Sequence, residues 1–206
     1  MKKFIKAIAY LCSFLFNEKI LKVNYFFASN FMWYVKKKNF KYVGKNSFVG
    51  LGLIVRNPIN IRIGDDFYAE DNFRIETYSK YGIYTYSPQL IIKNNVAFGY
   101  RCHLGCINKI EINENCLFGS NIYISDHFHG EISEMELMVI PLERKLFSKG
   151  PIIIGKNCWI GDNVCIMPNV KIGDNVIVGA NSVITSDIPA NSVVAGVPAR
   201  LIKSLI

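Results

Sequence analysis

Histidine is scarce in this 206-residue sequence, paired CxxC cysteines are absent, and no long uninterrupted apolar run occurs. The apolar stretches fall short of the roughly 20 residues that a membrane-spanning helix needs, which excludes such a helix. Lys6 interrupts the apolar run after Lys3, and no A-x-A cleavage site follows, so no signal peptide is expected. Reduced, mostly buried thiols in a cytoplasmic protein are therefore favoured over three disulfides in a secreted one. The cysteines are Cys12, Cys102, Cys106, Cys116, Cys158 and Cys165.

Acidic residues are nearly missing from the first part of the chain. Residues 1–45 contain ten lysines and one acid, Glu18, whereas residues 46–206 contain the remaining 14 basic and 15 acidic residues. The formal net charge of +8 therefore belongs to the N-terminal segment, and the body is nearly neutral. A basic face across the body is not expected, and neither is a nucleic-acid partner. A content of 50% hydrophobic and 19% charged residues excludes global disorder.

The N-terminal segment, residues 1–44, combines its lysines with apolar and aromatic side chains. Apolar residues recur at helical spacing from Phe4 to Phe16, and an aromatic cluster at residues 25–34 precedes three lysines at 36–38. A basic, aromatic helical segment of this kind fits two compatible interpretations. In the first interpretation the segment caps the open end of the main domain. In the second it lies on an anionic membrane surface, and both can hold together.

A six-residue repeat dominates the main domain, residues 45–206. An aliphatic residue recurs at every sixth position, glycine follows four of these residues, and a second series of small or aliphatic residues runs four places behind. An amphipathic helix requires spacings of three and four, and an ordinary strand alternates every two residues. The repeat instead predicts an all-β fold, a parallel β-helix whose stacked coils bury aliphatic ladders. The first series is Ile154, Ile160, Ile166, Ile172, Val178 and Ile184, and the second is Cys158, Val164, Val170, Val176, Ser182 and Ile188.

The repeat is disturbed at three places. Residues 77–90 and 129–150 break the pattern and are expected to form loops, and the repeats on either side of residues 105–111 are offset by two positions. A loop that interrupts a regular solenoid is more often functional than packing-related. With about 18 residues per coil, the chain has room for roughly six coils.

Several stretches of the sequence resemble the hexapeptide-repeat acyltransferases. They are "SDHFHG" at 125–130, "FSKGPIIIG" at 147–155, "CWIGDNVCIMPNVKIGDNVIVGANSVITSDIP" at 158–189 and "AGVPARLIK" at 195–203. The similarity is greatest to the sugar O-acetyltransferases, including the maltose/galactoside type and the O-antigen and capsule polysaccharide acetyltransferases. The resemblance implies a left-handed β-helix and a homotrimer, with acetyl-CoA between neighbouring subunits. A short C-terminal helix is expected to end the chain.

Acyl transfer to a sugar hydroxyl requires a base, and histidine, whose pKa lies near the working pH, is the natural choice. The resemblance places the catalytic histidine in the segment that contains His127 and His129. We predict His127 as the general base, with His129 as the second candidate. Asp126 directly precedes His127, and it either orients the imidazole and stabilises the imidazolium or caps the turn.

The resemblance also implies acceptor and cofactor residues. Trp159 would face the acceptor across a subunit interface, and the alternative for this side chain is core filling. Arg101 and His103 occupy the stretch that matches an acceptor-side asparagine of the family. The alternative for Arg200 and Lys203 is a solvated face of the C-terminal helix. The residues implied for acetyl-CoA, along the pantetheine arm and near the nucleotide, are Ala180, Thr185, Ser186, Arg200 and Lys203.

The sequence therefore predicts an acetyl-CoA-dependent O-acetyltransferase that acts on a sugar or a cell-surface polysaccharide precursor. An N-acetyltransferase that acts on an amino-sugar nucleotide or an antibiotic would use the same base. A non-enzymatic trimeric scaffold is a further alternative. A metal hydratase of the same fold would need all three histidines as zinc ligands, and no metal is expected. The expected location is the cytoplasm, at the inner face of the membrane if the N-terminal segment binds there.

Overall fold

The structure of the protein is a computed structural model that describes residues 2–15, 18–131 and 133–206. Two helices begin the chain, α1 at Lys2–Leu15 and α2 at Glu18–Lys37. Phe16, the end of the predicted amphipathic pattern, lies outside the described residues, and so does Ile132 in the predicted insertion. Neither helix is long and apolar enough to cross a membrane, as far as the described residues extend.

Short strands make up most of the remaining chain. In order they are β1 (Tyr42–Val43), β2 (Phe48–Val49), β3 (Ile54–Arg56), β4 (Ile61–Ile63), β5 (Tyr68–Ala69), β6 (Arg74–Thr77), β7 (Lys80–Tyr81), β8 (Tyr84–Thr85), β9 (Gln89–Ile92), β10 (Ala97–Phe98), β11 (His103–Cys106) and β12 (Lys109–Ile112). They continue as β13 (Leu117–Phe118), β14 (Tyr123–Ser125), β15 (Phe128–His129), β16 (Leu146–Phe147), β17 (Ile152–Ile154), β18 (Trp159–Ile160), β19 (Cys165–Ile166), β20 (Lys171–Ile172), β21 (Ile177–Val178), β22 (Val183–Ile184), β23 (Ser192–Gly196) and β24 (Ala199–Ser204). A 3-10 helix at Pro58–Asn60 and α3 at Glu134–Leu137 complete the described elements.

Three sheets form the body of the molecule. The first sheet is β1-β4-β9-β12-β17-β20, the second is β2-β5-β10-β13-β18-β21-β23-β24, and the third is β3-β6-β11-β14-β19-β22. The chain visits the three sheets in turn, and successive coils pair in parallel. This is the predicted parallel β-helix with three faces, and it is consistent with the left-handed form. β1, at the end of the predicted segment 1–44, already pairs with β4.

The predicted aliphatic ladders form the core. The first series, from Ile154 to Ile184, stacks in register on neighbouring coils, and its members are at most 1% exposed. The second series, from Cys158 to Ile188, is also buried, at 7% exposure or less. Removing these side chains from water on every coil provides the main driving force for stacking.

Asparagines shape the corners between the sheets. Asn157 and Asn175 have φ angles of 56° and 57°, a left-handed conformation that asparagine tolerates better than most residues. Their amides stack along the solenoid: Asn115 donates to Asn157 at 3.1 Å, and Asn157 donates to Asn175 at 3.0 Å. Gly173 allows two coils to pack closely. A Cβ at this position would lie 2.4 Å from a backbone nitrogen of the next coil.

The helix α2 packs on the first coil through one buried indole. Trp33 is 1% exposed, its Nε1 donates to the Ser47 carbonyl at 2.9 Å, and its ring meets Phe40 edge-on at 5.6 Å. Tyr25 donates to Asp71 Oδ1 at 2.5 Å on the same side of α2. In contrast, residues 2–13 of α1 are all exposed. The two helices therefore differ, since one adds to the core and the other presents its apolar side chains to solvent.

The expected short C-terminal helix is wrong. Residues Ala199–Ser204 form the strand β24, which runs antiparallel to β23 after a turn that contains the cis Val197–Pro198 peptide. The reason is the open edge of the second sheet, because β23 would otherwise expose a row of unpaired backbone groups. The returning strand satisfies these groups and ends the sheet.

Candidate active site

The chain departs from its repeat at one corner, where it passes from the third sheet to the first. The predicted loop at 77–90 contains the β7–β8 hairpin there, and the predicted insertion at 129–150 contains α3 and β16. The two-position offset lies between them in the stack, at Ile107 and Asn108, which connect β11 to β12. Because β6, β11 and β14 are neighbours in the third sheet, these departures lie together along one edge.

Asp126 anchors this corner. Its side chain is fully buried, and its two oxygens accept the backbone N–H groups of Ile107 and Asn108, each at 2.9 Å. The Cys106 thiol also donates to Asp126 at 3.3 Å. Burial, followed by the negative charge of Asp126, raises the pKa of Cys106 well above its ordinary value, so this thiol stays protonated. The two additional residues of the corner thus supply the donors that hold a buried carboxylate.

His127 is held against that carboxylate. Its side chain is 10% exposed, and its Nδ1 lies 3.0 Å from Asp126 Oδ1 and 3.3 Å from Ser125 Oγ. An Nδ1–H that donates to Asp126 leaves Nε2 as the proton-accepting nitrogen. The ring also meets Tyr78 edge-on at 5.7 Å. The arrangement fixes one tautomer of the imidazole, which is the requirement for a general base.

A buried glutamate lies on β6, the strand next to β11 in the third sheet. Glu76 is 2% exposed and pairs in register with Gly105 of β11. It accepts Arg74 Nε at 2.6 Å and the Tyr78 hydroxyl at 3.0 Å, and Arg56 Nε lies 3.5 Å away. Burial alone would raise the pKa of Glu76, but the hydrogen bonds from Arg74 and Tyr78 outweigh it and hold this pKa below its ordinary value. The carboxylate is therefore ionised at neutral pH.

His103 lies on β11, between the strand that carries Glu76 and the strand that precedes His127. Its Nε2 lies 3.3 Å from Glu76 Oε2, yet it makes no hydrogen bond within the described part of the chain. Burial, followed by the positive charge of Arg74, lowers the pKa of His103. A Cβ on Gly105 would lie 3.3 Å from His127 Cε1 and 3.7 Å from His103 Nε2. A side chain at residue 105 would therefore press on both imidazoles, and glycine avoids this.

The other predicted catalytic and acceptor residues lie elsewhere. His129 is exposed on β15, meets Tyr81 edge-on at 5.4 Å, and lines a cleft of about 460 Å³ beside α3. Trp159 is 54% exposed on the outer face of the second sheet, so it does not fill the core. Arg101 is an exposed corner residue with a φ of 56°, at the opposite end of β11 from His127. Within one chain, the structure thus brings together Asp126, His127 and His103. It places His129, Trp159 and Arg101 elsewhere.

The predicted cofactor residues follow the C-terminal coils. Ala180, Thr185 and Ser186 are exposed at corners, and Arg200 and Lys203 are exposed on β24 rather than on a helix. A second cleft, of about 600 Å³, separates the β7–β8 hairpin from residues 145–148 and includes Asn108. No predicted cofactor residue lines this cleft.

Sequence reasoning missed Glu76 and the residues around it. Arg74, Glu76 and Tyr78 alternate along β6 and its end, immediately before the break at 77–90. The proximity of charged residues to a break in the repeat is the signal that would have pointed to them. Among the described residues, no three His, Cys, Asp or Glu side chains are grouped to hold a metal ion.

Comparison with known proteins gives concordant matches. A family model described as bacterial transferase hexapeptide (six repeats) matches residues 151–186. The putative lipopolysaccharide biosynthesis O-acetyl transferase WbbJ of Escherichia coli (strain K12) is 32% identical over 152 residues, 72% of this chain and 74% of that protein. The galactoside O-acetyltransferase of the same strain is 32% identical over 174 residues, 82% of this chain and 66% of that protein.

Solved structures support the same fold. A galactoside acetyltransferase in complex with coenzyme A is 34% identical, with a TM-score of 0.52 over 82% of this chain and 68% of that chain. The N-acyltransferase AntD from Bacillus cereus, in complex with dTDP and 3-hydroxybutyryl-CoA, has a TM-score of 0.66 over 84% of this chain and 87% of that chain, and at 22% identity the likeness concerns the fold. The chain therefore belongs to the hexapeptide-repeat family and is an acetyltransferase, which confirms the resemblance of its sequence motifs.

Proposed function

We propose that this acetyltransferase transfers an acetyl group from acetyl-CoA to a hydroxyl of a sugar, in a cell-surface polysaccharide or its precursor. The observation that carries the proposal is the contact of His127 Nδ1 with the buried Asp126 carboxylate at 3.0 Å. Two relatives named as O-acetyltransferases support a hydroxyl acceptor. Solved neighbours that hold coenzyme A or 3-hydroxybutyryl-CoA support a coenzyme A thioester as donor.

His127 acts as the general base in this proposal. Its Nε2 takes the proton of the acceptor hydroxyl while the hydroxyl oxygen bonds to the acetyl carbon, and the imidazolium then returns the proton to the departing sulfur. The Asp126 carboxylate stabilises the imidazolium. Acetyl-CoA supplies the activated thioester. A base placed in this way contributes about 10²–10⁴-fold to the rate. His129 is the second candidate for this role.

The exposed cations of β24 suit the phosphates of coenzyme A. Arg200 and Lys203 are both solvent-exposed, and guanidinium and ammonium groups are the usual partners of phosphate oxygens. We assign the pantetheine arm to the corner residues Ala180, Thr185 and Ser186. Backbone groups at such corners are accessible to the amides of an extended ligand.

We propose a homotrimer whose active sites lie between subunits. Trp159 and Leu117 are neighbours on the outer row of the second sheet and are 54% and 53% exposed. Adjacent exposed apolar side chains mark a surface that a partner covers. In this arrangement Trp159 and Arg101 of one subunit contact the acceptor at His127 of another, beside His103. This explains how residues that lie apart in one chain serve one site.

An N-acetyltransferase is the second candidate function. The AntD likeness favours it, since AntD is an N-acyltransferase of the same fold. The test is release of the CoA thiol with matched acceptors, galactose against galactosamine. We expect galactose to be acetylated and the rate to fall in His127→Ala. Preferential use of galactosamine would support N-acetylation, and absence of both turnover and acetyl-CoA binding would support a non-enzymatic scaffold.

We propose that the N-terminal segment, residues 1–44, joins the β-helix through α2 and β1 and rests on an anionic membrane surface through α1. In α1, Phe4 is 70% and Leu11 is 65% exposed, with Lys2, Lys3 and Lys6 on the same helix. Apolar side chains that enter the headgroup region beside lysines that pair with lipid phosphates are typical of interfacial helices. The enzyme would then act in the cytoplasm on an acceptor linked to lipid.

Vesicle flotation tests the membrane proposal with the full chain. We expect binding to phosphatidylcholine vesicles only when they contain phosphatidylglycerol. Each lysine near an anionic surface contributes about 1 kcal/mol, so Lys3→Gln/Lys6→Gln should weaken binding by roughly thirtyfold. The control, Lys80→Gln/Lys171→Gln, removes the same charge from the body and should bind normally. Equal loss in both variants would contradict the proposal.

A further inference from the structure

The cluster around Glu76 contains more positive charge than its carboxylate requires. Arg74 and Arg56 both approach Glu76 through Nε, at 2.6 and 3.5 Å, and their side chains are 44% and 56% exposed. A guanidinium that directs Nε at one carboxylate still carries the N–H groups of its two terminal nitrogens. His103 adds little further positive charge at pH 7, because its pKa is lowered. The cluster therefore carries an excess positive charge at the protein surface.

This charge lies beside the proposed base. The Arg56 guanidinium is 4.9 Å from the centroid of the Tyr78 ring, and the same ring centroid is 5.7 Å from the centroid of His127. Tyr78 thus separates a cation from the imidazole. An anionic substituent on an acceptor bound at His127 would meet this cation beside Tyr78.

His103 belongs to the same cluster. Its Nε2 is buried and lies 3.3 Å from Glu76 Oε2. The position of a Cβ on Gly105 is 3.7 Å from both His103 Nε2 and Ser125 Oγ. His103 therefore adds a contact to Glu76 beside the coil that carries His127.

We propose that Arg56 and Arg74 bind an anionic group of the acceptor, the phosphate of a sugar phosphate or the carboxylate of a uronic acid. Glu76 is a positioning residue that holds both guanidinium groups in place. The proposal rests on the proposed sugar acetyltransferase function. It narrows that function to acidic acceptors.

Binding is measured first, by calorimetry with the full chain saturated with CoA. The probes are galactose, galactose 1-phosphate and galacturonate. We expect at least one acidic probe to bind tenfold or more tightly than galactose. Arg56→Gln should remove this preference, Arg56→Lys should restore part of it, and the control Arg62→Gln, an exposed arginine on β4, should keep it. The two acidic probes distinguish phosphate from carboxylate.

Three binding results would overturn the proposal. The first is equal affinity of the wild-type protein for galactose and both acidic probes. The second is a preference that survives in Arg56→Gln. Acidic probes that bind only when CoA is absent would also overturn it, because the cations would then serve the cofactor.

Measurements of turnover distinguish a failure of this proposal from a failure of the proposed function. In an assay of CoA thiol release, the ratio of kcat/KM for the preferred acidic sugar to that for galactose should fall about tenfold in Arg56→Gln. Preferential binding of an acidic probe without any acetyl transfer would contradict the sugar acetyltransferase function while leaving the anion subsite supported. Transfer without preference would contradict the subsite and leave the function.

Discussion

At the scale of single residues, Asp126 makes both contacts that the sequence left as alternatives. It accepts the N–H groups of Ile107 and Asn108, as a turn cap does, and it contacts His127 Nδ1, as an orienting group does. A fully buried carboxylate depends on such hydrogen bonds for its charge. The same side chain therefore couples the conformation of the corner to the position of the imidazole.

Replacing the imidazole should separate the two candidate bases. We expect His127→Ala to lower kcat for acetyl transfer by about 10²–10⁴-fold, because His127 is the imidazole that contacts Asp126 among the described residues. His129→Ala is the matched control, and its kcat should change by less than about threefold. Rates of CoA thiol release decide the comparison. A larger loss in His129→Ala than in His127→Ala would transfer the role to His129.

Glu76 should make stability depend on pH. Its pKa is lowered from 4.5 in the folded protein, so its ionised form stabilises the fold above that pH, and this contribution is lost as the pH falls through the folded value. We expect Glu76→Gln to reduce the free energy of unfolding by about 1–3 kcal/mol at pH 7. The difference from the wild-type protein should shrink below pH 4.5. Urea unfolding at several pH values measures it, and a difference independent of pH would contradict the prediction.

At the scale of elements, α2 contributes one large side chain to the core. Trp33 is 1% exposed, whereas Phe27 on the same helix is 72% exposed. We expect Trp33→Ala to lower the free energy of unfolding by about 3–5 kcal/mol because it leaves a cavity at the end of the core. Phe27→Ala should cost less than about 0.5 kcal/mol. Chemical denaturation of both variants tests this, and equal effects would refute the assigned packing.

The regular coils were predictable from sequence because their cause is local and repeated. Each member of the first aliphatic series, from Ile154 to Ile184, occupies the same environment, so the period alone identifies strands, corners and core. The end of the chain has no such repetition. Residues Ala199–Ser204 form a strand only because the edge of β23 is open, and that edge is a property of the assembled sheet.

The site was predictable only in part for a related reason. His127 and Asp126 belong to a recognisable motif, and the breaks at 77–90 and 105–111 marked the corner. Their proximity depends on stacking, which places residues of successive coils side by side. Glu76 lies at the site because it pairs in register with Gly105. The two residues are far apart in the sequence, so their contact could not be predicted from it.

At the scale of the whole molecule, the charge asymmetry separates two tasks. Eight of the ten lysines of residues 1–45 lie in the two helices or directly after α2, and the nearly neutral β-helix carries the catalytic corner. The proposed arrangement assigns placement at a membrane to one part and chemistry to the other. It also requires subunits to meet on an exposed apolar face.

Assembly should therefore depend on the outer row of the second sheet. We expect sedimentation equilibrium to give three times the chain mass of 23.4 kDa. Leu117→Glu places a charge in the proposed interface and should shift the protein towards monomer, because a buried unpaired charge is costly. Ile59→Glu, at a residue 64% exposed on the 3-10 helix, is the control and should remain trimeric. A monomeric wild-type protein would contradict the assembly.

The central claim is that His127 transfers acetyl groups from acetyl-CoA to a sugar hydroxyl. The most direct measurement uses acetyl-CoA labelled in the acetyl group, a sugar acceptor, and mild alkali treatment of the purified product. The account predicts that the label joins the sugar, that alkali releases it as acetate because the bond is an ester, and that His127→Ala forms about 10²-fold less product. An alkali-stable amide, or undiminished transfer by His127→Ala, would contradict it.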